Sequence, residues 1–118
     1  MRVMTKSNTD IHITESNEAL LHCNEYVDSL NETCCISSRS PNMAELKSLI
    51  DETILFINKI NSDGKKIENV IDQVGKIGTK VGYLYATCCT KSRETLYRSL
   101  FLELAIVHSN MWSLKGHN

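Results

Sequence analysis

No run of this chain approaches the roughly 20 consecutive apolar residues that span a bilayer, and neither sign of charge dominates it. Thirteen Lys and Arg stand against 14 Asp and Glu, for a net charge of -1. The first absence argues against a membrane span. The second removes electrostatic attraction to nucleic acid or anionic lipid, and no local basic face stands out. Proline occurs once and aromatic residues make up 6%. Such a composition, with its Leu, Ile and Val, suits helix seams better than a sheet sandwich. The opening MRVMTKSNTD lacks the apolar run of a secretory signal, and the five cysteines are an odd number. The expectation is a soluble protein with free thiols in the cytosol or nucleus, not a secreted one. Asn31-Glu32-Thr33 then reads as a chance match to the glycosylation sequon.

Periodicity is what the chain does have. From Leu46, residues recur at alternating steps of three and four: Leu46, Ile50, Thr53, Ile57, Ile60, Gly64, Ile67, Ile71, Val74, Gly78, Val81, Tyr85 and Cys88. Ten of these 13 are apolar. Helices that bury one seam against other helices have this pattern.

The rest of the chain falls into order around that stretch. Residues 1–15 lack helix periodicity and read as a flexible arm. From Ser16, the residues Leu20, Cys23, Val27, Leu30 and Cys34 form an apolar stripe on a first helix. Pro41, with Asn42 and Glu45 at capping-box spacing, opens a second helix near Asn42 or Met43. Its apolar face is broad enough to predict burial from two sides. Asn61-Ser62-Asp63-Gly64 is a turn by composition although the seam passes through it, so a folded hairpin, with Asp63 capping the third helix, is preferred to one long helix over 43–88.

The third helix, Lys65 to about Cys89, carries Ile67, Val70, Ile71, Val74, Ile77, Val81 and Leu84 on one face. A stripe of Gly75, Gly78, Gly82, Ala86 and Cys89 runs beside it. Glycines inside a helix cost about 1 kcal/mol each relative to alanine, which predicts either close approach of a neighbouring backbone or an irregular helix. Thr90-Lys91-Ser92 can cap a fourth helix, with Leu96, Leu100, Leu104, Val107 and Met111 on one face, ending near Trp112. The expected architecture is all-α: a three- or four-helix antiparallel bundle with coiled-coil-like seams over 16–112 and a short tail over 113–118.

Chemistry is thinly represented. The vicinal pairs Cys34-Cys35 and Cys88-Cys89 diverge by about 100° on a helix, unlike the C-x-x-C spacing of a zinc site. On the seams, Cys23, Cys34 and Cys88 act as small apolar residues; Cys35 and Cys89 are left for a redox-sensitive crosslink between chains. The histidines His12, His22, His108 and His117 show no ligand spacing and adjoin no nucleophile motif. The glycines of 75–82 lack the order of a phosphate loop. Leu96-Tyr97-Arg98 is similar to the tripeptide of the LYR family of mitochondrial assembly factors, but that family carries most of its domain after the tripeptide and here only 20 residues follow; the match is read as chance.

The function expected is therefore non-enzymatic, with no cofactor and no metal: a helical protein-protein interaction module that self-associates or serves as a small subunit of a larger complex. The residues expected to make the contact are Leu55 and Phe56 on the second helix, Gly78, Gly82 and Tyr85 on the third, and Tyr97, Phe101 and Trp112 on the fourth. The alternative is a compact monomeric helical regulator, of the inhibitor or immunity type, presenting a groove to one partner. A small enzyme or ligand-binding bundle is a third reading.

Overall fold

A computed structural model describes residues 8–33, 40–60, 64–87 and 93–116. Four helices account for almost all of them: α1 (Asn8–Thr33), α2 (Ser40–Asn58), α3 (Gly64–Thr87) and α4 (Glu94–Gly116). Each packs against its chain neighbours, and α1 also packs against α4, closing a four-helix ring. The expected all-α bundle is the observed one. Two helices, not one, run between 43 and 88, and α2 and α3 lie side by side.

The ring is held by four stripes of the same spacing. The buried stripes are Ser16, Leu20, Cys23, Val27 and Leu30 on α1; Met43, Leu46, Ile50, Thr53, Ile57 and Ile60 on and just after α2; Ile67, Val70, Val74, Ile77, Val81 and Leu84 on α3; Tyr97, Leu100, Leu104, Val107, Met111 and Leu114 on α4, with Ala19, Gln73, Arg93 and Asn110 buried beside them. Within each stripe every step is three or four residues. The four helices turn these stripes to one axis, and together the stripes dry one another. Thr53 fits because its hydroxyl donates to the Leu49 carbonyl within its own helix at 2.6 Å.

Polar pairs on the rims set the registers, and they too repeat. Between α1 and α2, Asn17 meets Asn58, Asn24 meets Asp51 and Lys47 meets Asp28, at 3.0, 2.9 and 2.7 Å. Between α2 and α3, the Lys66 ammonium reaches the Lys59 carbonyl, Gln73 donates to Glu52 and Lys80 pairs with Glu45. Each of the two steps between these last three pairs moves seven residues along one helix and seven back along the other, which is the signature of antiparallel heptads in phase.

Three boundaries differ from the sequence expectation. Residues 8–15 are helical, so the arm is not 1–15: α1 begins at Asn8, where Ile13 packs against the core and His12 hydrogen-bonds Asn110 of α4. A polar tether holds this first part, and hydrophobic periodicity does not register it. At the other end α4 continues through Gly116, with Leu114 buried, so 113–116 belong to the bundle. The seam, carried straight through Gly64, predicts Ile71, Gly78 and Tyr85 inside. Val70, Ile77 and Leu84 occupy those places instead: from Ile67, Val74 and Val81 the buried stripe steps by three where the seam stepped by four. Residues 1–7, the Asp63 and Thr90–Ser92 caps, Cys34, Cys35, Cys88, Cys89 and His117 lie outside the described residues.

Packing and rim pairs should separate in a stability measurement. Leu100→Ala, at a fully buried position, is expected to cost about 2–5 kcal/mol. Lys47→Ala removes an ion pair whose side chains are 36% and 56% exposed and should cost under ~1 kcal/mol. Urea unfolding of the two variants checks both.

Candidate protein-interaction surface

A helix of a closed ring has one side left for solvent, and on α1, α2 and α3 that side is mostly polar. On α2, Leu55 is 60% exposed among exposed Asp51, Glu52 and Lys59. A single exposed leucine is ordinary; α2 is covered by α1 on one side and α3 on the other, with Leu49, Ile54 and Phe56 half-buried along its edges.

The surplus apolar face belongs to α4. Between Arg98 and Lys115, apart from histidine, the helix has one ionisable residue, Glu103, and its carboxylate turns toward α1, where it lies 3.2 Å from His22. On the outer side Phe101, Leu102, Ala105, Ile106 and Trp112 are all exposed, Leu102 at 66%. Phe101-Leu102 and Ala105-Ile106 sit on consecutive turns of one face. Several large apolar side chains in one patch are less usual on a folded surface than isolated ones.

α3 borders this patch with its glycines. Glu68 pairs with Lys115 across the two helices at 3.1 Å. Steps of seven from that pair along antiparallel helices bring Gly75 beside His108 and Gly82 beside Phe101. Above them Tyr85, 40% exposed, lies against Tyr97, with ring centroids 5.3 Å apart. Below, the Trp112 indole donates to Nε2 of His108 at 2.9 Å, and the Lys115 ammonium sits 4.8 Å from the Trp112 ring centroid.

The expected contact residues thus divide. Gly78, Gly82, Tyr85, Phe101 and Trp112 fall along the α3–α4 side of the bundle, and Tyr97 supports it from within, 1% exposed. Leu55 and Phe56 lie apart on α2. Leu102, Ala105 and Ile106 were missed by sequence reasoning, although the run LFLELAIV, with its lone carboxylate, is the signal for them. The glycines do not serve the close approach expected of them. α3 runs through all three without a break, and a Cβ placed on Gly75, Gly78 or Gly82 would meet no atom within 4 Å. They leave the rim of α3 open and low beside the α4 patch.

Other features offer little chemistry. An open groove between α2 and α3, lined by Leu49, Thr79, Lys80 and Tyr83, has its Lys80 ammonium engaged by Glu45. Among the described residues no group of three or more His, Cys, Asp or Glu is placed to hold a metal, and no helix is long and apolar enough to cross a membrane. Cys23 is enclosed in the core; burial, and secondarily the Glu103 carboxylate, push its thiol from 9.0 up to about 12. Compared with known protein families, with curated proteins and with solved structures, the chain matches none.

Two outcomes follow from this geometry. Gly78→Ala and Gly82→Ala, in open helical positions, should each raise stability by about 0.5–1 kcal/mol, read as a higher thermal midpoint. Cys23 should resist iodoacetamide in the folded protein at mildly alkaline pH and react once it is unfolded, as peptide mapping by mass spectrometry would show. Because folding holds the thiol protonated, its stabilising contribution is full below pH 9 and is lost as pH rises toward 12.

Proposed function

We propose that this protein is a non-enzymatic helical interaction module and that the outer face of α4 is the surface through which it associates. The observation that carries the reading is the coincidence on one helix of a complete inner seam and an exposed, nearly uncharged outer face. The inner stripe from Tyr97 to Leu114 already satisfies the bundle. Phe101, Leu102, Ile106 and Trp112 contribute little to that core, so their exposure costs solubility without a return in folding. A partner that covers them supplies the return.

The fold also suits the role. α4 is braced on both flanks, by His22–Glu103 toward α1 and Glu68–Lys115 toward α3. A surface presented on a braced helix loses little conformational freedom on binding.

The test is made in an extract of the cells that produce the chain. At native abundance the protein is expected to elute in gel filtration above the 13.3 kDa of one chain. A Leu102→Glu/Ile106→Glu variant should elute as a single folded chain. If the unaltered protein also elutes as a single chain, the module reading fails.

A further inference from the structure

The outer face of α4 has a seam of its own. Thr95, Arg98, Leu102, Ala105, Ser109 and Trp112 are all exposed and follow one another at alternating steps of three and four. The helix therefore carries two stripes of coiled-coil spacing back to back: an apolar one turned to the bundle axis, and one turned to solvent that is apolar at Leu102, Ala105 and Trp112 and polar at Thr95, Arg98 and Ser109.

We propose that the occupant of this second stripe is α4 of a second copy of the chain, lying antiparallel across a two-fold axis; the proposal rests on the interaction reading above. Three features of the stripe select a copy of itself. The first is size. In an antiparallel pair centred between Leu102 and Ala105, each Leu102 falls on the partner's Ala105, so the large side chain of one helix enters the space left by the small one, twice. At the ends, Thr95 meets Trp112 and Arg98 meets Ser109, again large against small.

The second feature is charge. Glu94, Phe101, His108 and Lys115 form the flank of the stripe at steps of seven. In an antiparallel pair, residues of this flank face the same flank of the other helix. Glu94 of each copy then faces Lys115 of the other, and Phe101 faces His108. Lys115, which already touches Glu68 and the Trp112 ring, would stand between carboxylates of both copies. A parallel pair would instead set this flank against the other one, Ser99, Ile106 and Ser113, and leave Glu94 and Lys115 without each other.

The third feature is what the middle lacks. From Ser99 to Leu114 no ionisable group other than histidine points outward, since Glu103 is turned to α1. Arg98 stays paired with Glu94 of its own helix at 2.8 Å; between it and Lys115 a charged partner would find nothing to pair with, whereas a second stripe of the same kind leaves no ion stranded there. The contact is one helix wide, at the small end of stable interfaces, so its dissociation constant should be micromolar.

The experiment is light-scattering mass of the purified full chain, with reductant, at low-micromolar and at several-hundred-micromolar concentration. The expected result is a mass that rises toward twice 13.3 kDa with concentration. Leu102→Glu should hold the mass at one chain while keeping its helical circular dichroism, and Leu55→Glu, on the far side of the bundle, should change nothing. Glu94→Lys and Lys115→Glu should each weaken association severalfold, and the two together should restore it. A single-chain mass at every concentration overturns self-pairing; if the extract still shows a Leu102-dependent heavier species, the module reading stands with a different partner. Dimers lost with Leu55→Glu but kept with Leu102→Glu overturn the placement. Failure of the double charge reversal to restore association overturns the antiparallel register.

Discussion

Four three-four stripes turned to one axis dry one another, and the rest of the bundle depends on that shared packing. Leu46, Ile50 and Ile57 on α2 are buried with α1 and α3 on either side, and the same holds around the ring. Once all four stripes face one axis, each helix has two flanks and one outer side left over. The flanks take the polar pairs: Asn24 with Asp51, Gln73 with Glu52, Lys115 with Glu68. Individually these exposed pairs are weak. Their value lies in phase, because a slip of one residue in any helix would break every pair on a rim and lift every core residue off the axis together.

The outer sides are where the four helices cease to be equivalent. α2 keeps its outer side charged around Leu55, and α3 thins its own with glycine. α4 alone gathers several large apolar residues on its outside. The core is complete without Phe101, Leu102 and Ile106, and it is for them that an association surface is proposed, with polar contacts on both flanks of α4. In the same way, burial makes Cys23 a packing residue: a thiol titrating near 12 has no thiolate to offer at neutral pH.

Much of this was legible in the residues. Leu20, Cys23, Val27 and Leu30 were read as a buried stripe and are buried, as is the α2 seam, because those positions are apolar at the right spacing and their neighbours are not. Where two adjacent residues were both candidates, spacing alone did not choose: Val70 or Ile71, Ile77 or Gly78, Leu84 or Tyr85. In each the buried residue is the one three steps, not four, past Ile67, Val74 or Val81. The start of α1 was invisible because His12 and Asn110, remote in sequence, hold it by a polar contact that no periodicity encodes. The continuation to Leu114 was visible, one more step of three beyond Met111. The surface was half read. Phe101 and Trp112 were noticed as aromatics, but Leu102 and Ile106 were not, since a helix apolar on several sides looks from sequence like one buried on several sides.

The hydrogen bond between His12 and Asn110 has a geometrical corollary. It brings the first turns of α1 to the last turns of α4, so the described chain starts and finishes at one pole of the bundle. Anything fused to either terminus would project from that pole, alongside the other. A short connector would join the two termini, and the ring of helices could then be opened elsewhere without disturbing a single seam. With α4 paired antiparallel, the poles of two copies point in opposite directions, and cargo on each would be carried to the far ends of the assembly.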